Sequence, residues 1–311
     1  MLSMAVGTEA ARALTVSPPL KEFSGNPGET LSGMIRIYNE TDADVNVTPS
    51  LSAFGAKEGE SGEPKVVDLG AEDQARSLAS WITLAPGPYT VKSLDWQNIL
   101  FEIRIPQDAE PGGHYAVVFF SPQASDASQS VTVDSKTGSL VLLTVSGDIQ
   151  SSVKIESFDS KGSQRFFAAT PVPFELRLRN EGNVHFRPGG AVQITSMFGS
   201  KKAEIPLLKE NTGGNVLPQS IRRFDVTWGE ATEQSGSFWA SVRNEWRDFH
   251  FGRYTAQAVV ALPDSKTETR QASVWIIPWH LLLVIFILLV ALFYLFRTYN
   301  RWIIRQARKN A

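Results

Sequence analysis

Apolar and polar residues alternate over short stretches along most of the chain, and the alternation yields once, to an unbroken apolar run near the C-terminus. Leu31, Gly33, Ile35 and Ile37 recur at period two, as do Val45 and Val47, and Ile99, Phe101, Ile103 and Ile105. That spacing puts one set of side chains on one face, so each stretch predicts a half-buried β-strand. His114–Phe120 is apolar throughout and reads as a central strand, while Leu140, Leu142 and Thr144 read as the strand closing a first module. Turn sequences separate these stretches, among them Asn26-Pro27-Gly28-Glu29 and Ala85-Pro86-Gly87-Pro88. Asn39–Asp44 reads as a polar hairpin, and Leu14–Phe23, interrupted by Pro18-Pro19, as an edge strand kinked by proline. Gly55–Ser77, rich in glycine and charge, reads as a long solvated excursion. Many short strands with Pro and Gly turns, and almost no helical period, predict antiparallel Ig-like β-sandwiches.

The apolar run, Val274–Phe296, is a different material. Its 23 residues include no Asp, Glu, Lys or Arg, enough to cross a hydrocarbon core of about 30 Å as one helix. Trp275 and Trp279 stand at one end and Tyr294, Tyr299 and Trp302 at the other, as in an interface-anchored span. Arg297, Arg301, Arg305, Arg308 and Lys309 follow without an acidic residue. A Lys/Arg excess beside a span marks its cytoplasmic side. The pattern predicts a single-pass cell-membrane protein, N-terminal part outside and C-terminus in the cytoplasm. Trp275, Trp279, Arg297, Arg301 and Arg305 are its expected anchors, the arginines sharing one helical face and reaching for anionic headgroups. Such a topology calls for an export signal. Met1–Ala13 ends in Ala11-Arg12-Ala13, a pattern like a signal cleavage site, and reads as a signal-peptide remnant or an irregular lead-in.

The strand pattern also repeats. Ile35-Arg36-Ile37-Tyr38-Asn39-Glu40 recurs as Leu176-Arg177-Leu178-Arg179-Asn180-Glu181 at an offset of 141 positions. Ala53-Phe54-Gly55 recurs as Met197-Phe198-Gly199 at 144, and Gly113-His114-Tyr115 as Gly252-Arg253-Tyr254 at 139. Near-constant offsets in one order predict two copies of one module. In the repeated strand the arginine points outward and the aliphatics inward. Tyr115 and Tyr254 stand where an Ig-like sandwich puts its corner tyrosine, or are plain core residues. The expected organisation is a lead-in over 1–13, sandwiches over 14–150 and 151–273, a transmembrane helix over 274–296 and a basic tail over 297–311.

Composition narrows the function. With no cysteine in 311 residues, disulfides, zinc–thiolate sites and thiol catalysis are excluded. A formal charge of −2 offers no field for binding nucleic acid. His114, His185, His250 and His280 form no metal-binding pair motif, and neither a nucleophile elbow nor a phosphate-cradling glycine loop is present. Asp42 and Asp44 read as turn residues rather than calcium ligands. His280, in the span's first turns, reads as interfacial. No catalytic, cofactor or metal residue is assigned, and the chain reads as a non-enzyme.

Two stretches are candidates for partner binding. Trp239, Trp246 and Phe249 lie among Arg243, Arg247 and Arg253, a mixture common in interfaces; read otherwise, they are core residues of second-module strands. Glu58, Glu60 and Glu63 lie in the 55–77 excursion.

Pro27-Gly28-Glu29-Thr30 leading into Ile35-Arg36-Ile37-Tyr38-Asn39, and Ile105-Pro106 through Pro111-Gly112-Gly113-His114-Tyr115, carry a resemblance. With the order of two sandwiches, one span and a basic tail, the chain resembles the bacterial cell-surface family that interacts with WxL proteins, and its first module resembles that family's peptidoglycan-binding module. The resemblance implies a surface scaffold or adhesin that binds cell-wall glycan or partner surface proteins. The alternative is a membrane-anchored assembly factor or accessory subunit.

The charge bias makes a direct prediction. Protease added to intact cells digests the residues before 274 and spares the tail. Replacing Arg297, Arg301, Arg305, Arg308 and Lys309 with Glu disturbs insertion or orientation. A protected N-terminal part in the unmodified protein contradicts this topology.

Overall fold

The computed structural model describes residues 14–56, 59–67, 76–123, 136–208, 214–230, 237–263 and 266–309, with side chains to Arg305 in the last helix. The expected lead-in 1–13 and Glu58 lie outside the described residues, as do parts of the 55–77 and 123–136 loops. In chain order the first elements are β1 (Leu14–Ser17), β2 (Leu20–Gly25), β3 (Thr30–Asn39), β4 (Val45–Ala56), β5 (Pro64–Val66), α1 (Leu78–Trp81), β6 (Ile82–Leu84), β7 (Tyr89–Val91), β8 (Trp96–Arg104), β9 (Gly112–Pro122) and β10 (Thr137–Val145). Then come β11 (Val153–Ser160), β12 (Phe166–Phe167), β13 (Val172–Asn180), β14 (Gly189–Ser196), β15 (Lys201–Pro206), β16 (Ser220–Trp228), α2 (Phe238–Arg247), β17 (Gly252–Ala261), β18 (Thr267–Ile276) and α3 (Trp279–Lys309).

The strands form four sheets, ordered β1-β3-β8-β6 and β2-β10-β9-β4-β5 in the first half, β11-β13-β16 and β12-β18-β17-β14-β15 in the second. The second half repeats the first except that β6, and β7 which pairs with β4, have no counterpart: β1-β3-β8 matches β11-β13-β16, and β2-β10-β9-β4-β5 matches β12-β18-β17-β14-β15. In each, the opening strand is broken, its first part pairing in one sheet and its second running parallel to the last strand of the other, β2 along β10 and β12 along β18. This is an Ig-like arrangement. The chain is therefore predominantly β, with two Ig-like sandwiches and one C-terminal apolar helix that is a candidate membrane span. Two compact units emerge from the packing: residues to Val153 with Arg179–Arg187 and Gly213–Arg222, and Lys154–Leu178 with Pro188–Thr212 and Arg223–Ala311.

The alternation predicted from sequence builds the first core. On β3 and β8, Ile35, Ile37, Ile99, Phe101 and Ile103 are buried, and so are Val118, Phe120, Val141 and Leu143 on β9 and β10. Burying one such side chain contributes roughly 1.5–3 kcal/mol. Gly33 belongs to this pattern for a steric reason: a Cβ there would lie 2.2 Å from the Phe101 ring. The first half of the 55–77 excursion departs from expectation, because β5 pairs with the end of β4, Phe54 opposite Val66.

The Asn39–Asp44 hairpin is corrected. β3 and β4 lie in different sheets, so this stretch is an arch between layers. The repeated asparagine holds it. Asn39 is fully buried; its Nδ2 donates to Ala43 O at 2.7 Å and Val91 O at 3.1 Å, and its Oδ1 accepts from Thr41 N at 3.0 Å. Asn180, 141 positions on, donates to Val184 O at 2.7 Å and Val216 O at 2.9 Å and accepts from Gly182 N at 2.9 Å. The second repeat match, Ala53-Phe54-Gly55 with Met197-Phe198-Gly199, is a slip. Ala53 pairs with Ala116 and Thr195 with Thr255, just after Tyr115 and Tyr254 respectively, so Phe54 corresponds to Ser196. Phe54 is 6% exposed and Phe198, in a turn, is 84% exposed.

In the first unit the Tyr115 hydroxyl lies 3.5 Å from His185 Nδ1. Burial lowers the pKa of His185 below its ordinary value, with Glu22 opposing the shift.

Two predictions follow from these buried groups. Asn39→Ala or Asn180→Ala removes two donors and leaves the Thr41 or Gly182 amide without its side-chain acceptor, and lowers unfolding stability by about 2 kcal/mol or more, read by urea unfolding of the detergent-solubilised chain. An unaltered midpoint would show the arch is held by other contacts. His185 favours its neutral form when folded, so its contribution is complete above an unfolded pKa of about 6.5 and is lost as pH falls below that. Thermal scans should show that loss, and it should shrink in His185→Gln.

Candidate functional site

The start of α3 lies near the aromatic residues that the sequence singles out. Val274 does not begin the helix. Val274, Trp275 and Ile276 are the end of β18, paired to β17 with Tyr254 opposite Val274 and Gly252 opposite Ile276. Their backbone groups are taken by sheet partners, including Trp275 N to Arg165 O at 2.7 Å and Ile277 N to Phe167 O at 2.8 Å. Pro278 breaks the ladder and α3 begins at Trp279, placing Trp275 on a strand. The helix stretch 279–305 is apolar and long enough to cross a membrane, with almost none of it buried. Arg297, Arg301 and Arg305 are exposed along it.

A helix begins with unpaired backbone N–H groups, and burying its first turn requires acceptors. Glu245 of α2 supplies them. It is 2% exposed; its Oε2 accepts from Leu281 N at 2.7 Å and its Oε1 meets His280 Nδ1 at 2.5 Å. The carboxylate thus satisfies the orphan donor and sits at the positive end of the helix dipole. His280 also stacks on Trp279 at 3.6 Å between ring centroids and meets Phe238 edge-on at 5.4 Å. His280 is a structural donor at the helix start.

Around this junction lies a collar of exposed aromatics. The strand reading of Trp239 and Trp246 is corrected: both lie on helix α2, 68% and 71% exposed, on the face that also carries Arg243. Ala240 and Glu245 occupy the opposite, buried face. Phe249 and Phe251 lead into β17 and are exposed rather than core. Trp275 is 41% exposed, and Phe166 pairs beside it from β12. Met197 N bonds to Arg253 O at 2.9 Å, which brings Met197 and the adjacent Phe198 to the same strand ends. At the C-terminal end of α2 a cleft of about 500 Å³ holds Lys202, Arg247, Asp248 and His250. Its Asp248 carboxylate is occupied by the Thr170 hydroxyl and by His250 Nδ1 at 3.2 Å.

The first unit has a separate exposed surface that sequence reasoning did not single out. On the outer face of β3 and β8, Tyr38 pairs with Trp96, Arg36 with Asn98 and Met34 with Leu100. The Tyr38 and Trp96 rings are 5.1 Å apart, and the Arg36 guanidinium lies 4.9 Å from the Trp96 ring centre. Leu100 is 69% exposed and Trp96 42%. The outward Arg36 of the repeated strand was the available signal. Glu60 and Glu63 belong to the first unit, and Trp239, Trp246 and Phe249 to the second.

Among the described residues no group of three His, Asp or Glu side chains is placed to hold a metal ion. No family model and no curated protein matches the sequence. The structure is similar to the chaperone–tip adhesin complex of CFA/I fimbriae, with TM-score 0.40, 12% identity and coverage of 84% of this chain and 98% of that one. It is similar also to the class 5 fimbriae chaperone CfaA, with TM-score 0.40, 11% identity and 84% and 99% coverage. The Pseudomonas aeruginosa CupB2 chaperone gives TM-score 0.37, 10% identity and 83% and 98% coverage. These likenesses assign no activity or partner to this chain.

The buried carboxylate gives a testable ordering. Glu245→Leu removes the acceptor for Leu281 N–H and should cost about 1–3 kcal/mol, whereas Glu245→Gln keeps one acceptor and costs less. Urea unfolding in detergent micelles reads both. Equal stability of Glu245→Leu and the unaltered chain would remove the clamp.

Proposed function

We propose that this chain is a non-enzymatic, membrane-anchored surface protein that uses its Ig-like sandwiches to bind cell-wall glycan or a partner surface protein. The observation that supports it best is the uncovered face of β3 and β8. A sheet facing solvent on one side ordinarily carries polar side chains there, yet this one sets Met34, Tyr38, Trp96 and Leu100 beside Arg36 and Asn98. Aromatic rings beside hydrogen-bonding side chains suit a sugar ring, whose faces are C–H and whose rim is hydroxyl; they equally suit a protein hot spot. The resemblance to the WxL-interacting family points to the same two partners. The His–carboxylate pairs support binding over catalysis, since Glu245–His280 is committed to a helix start and Asp248 to Thr170 and His250.

The second reading, an assembly factor or accessory subunit, draws on sheet edges. β5 and β6 are three-residue strands at the ends of their sheets, and such edges accept an added strand from a partner. The two readings part on one comparison. Full-length protein in detergent is incubated with purified peptidoglycan and, separately, with solubilised surface proteins. Trp96→Ala should weaken retention about tenfold or more if the face is the contact. Loss on disrupting the β5 edge, with Trp96→Ala unaltered, favours strand addition. Release of soluble wall fragments by the purified protein would overturn the non-enzymatic reading.

A further inference from the structure

We infer that the aromatic collar of the second unit is a lipid-binding surface, seating its sandwich in the headgroup–acyl boundary of the membrane that α3 crosses. The inference rests on reading α3 as a span.

Position carries it first. From Trp279 to Arg297 the helix rises roughly 27 Å at about 1.5 Å per residue, close to the hydrocarbon thickness of about 30 Å. There is little slack, so with Arg297 at one boundary the other boundary falls at Trp279. Glu245 ties α2 to His280 and Leu281, and the paired ends of β17 and β18 lie at residues 252 and 276. The collar is therefore held at the depth of the interface and cannot lift away from it without breaking the clamp.

Composition carries it second. Among the described residues of the second unit, every exposed large apolar side chain outside α3 lies at this end, on α2 or at strand ends joined to residues 275–276. A water-facing surface has no reason to collect them at one end. Trp is the side chain that partitions to the bilayer interface, and Arg243, Arg247 and Arg253, all exposed among them, complement anionic headgroups. Ten helical residues alone are marginal in water; α2 is held on one face by the clamp and, on this reading, by lipid on the other.

The absence of cysteine from the chain makes the test clean, because one introduced cysteine carries one probe. Arg243→Cys, Leu288→Cys and Thr267→Cys are each labelled with an environment-sensitive fluorophore in the full-length chain. Each is reconstituted in vesicles of phosphatidylcholine and phosphatidylglycerol at a 7:3 ratio, with and without acyl-brominated lipid. Leu288, in α3, reports the span; Thr267, nine residues before Ile276 on β18 and so roughly 30 Å away, reports water. The proposal expects the 243 probe to be blue-shifted and quenched to within about twofold of the 288 probe, with the 267 probe unquenched. Trp239→Ser with Trp246→Ser should then cut quenching at 243 at least threefold and leave 288 unaltered. Quenching at 288 with 243 at the level of 267 overturns the collar and leaves the span standing. No quenching at 288 or 243 overturns the span reading and the collar with it.

Discussion

The contact between Glu245 and the first turn of α3 is the interaction on which the architecture around the start of α3 depends. A strand that runs into a long apolar helix through Ile277-Pro278 would ordinarily be a hinge, because the last sheet hydrogen bonds stop at the proline. Here a buried carboxylate from a different element takes the Leu281 N–H of the first turn and the His280 side chain together. A buried polar group is costly unless its partners are complete, and Glu245 has a backbone donor, an imidazole and a helix dipole. The clamp holds the buried side of α2 against the start of α3 and leaves Trp239 and Trp246 exposed on its other face.

The sandwiches obey a parallel constraint. Each has to carry the chain from one sheet to the other after β3 or β13, and each uses the same asparagine to do so. Asn39 and Asn180 replace the ladder bonds that the chain gives up at the arch with four and three side-chain bonds respectively. That the partners recur at identical spacing, i+2 and i+4, shows the repeat is one of hydrogen bonding as well as of strand texture.

How much of this could be read from the sequence follows from where each signal lies. The period-two strands β3 and β8, the outward Arg36 and the apolar helix were legible because their causes are local. The helix start was misplaced at Val274 because apolar content does not distinguish the last turns of a sheet from the first of a span; the ladder to β17 decides it. The Asn39 hairpin was misread because adjacent strands in sequence usually pair, and only the bonds to Val91 and Ala43 reveal an arch. Helix α2 was hidden by aromatics that suit strands, although Trp239, Arg243 and Trp246 follow a helical spacing. Glu245 had no sequence signal at all, since its partner is a backbone N–H 36 residues away. The Trp96 face needed the β3–β8 register to assemble.

Hydrogen exchange of the full-length chain in lipid nanodiscs tests the clamp most directly. The account predicts that amides of α2 and of residues 279–283 exchange as slowly as those of the β17–β18 ladder, and that α2 loses this protection in Glu245→Leu while the ladder keeps it. Rapid exchange of α2 in the unaltered chain, at the rate of an unstructured linker, would contradict it.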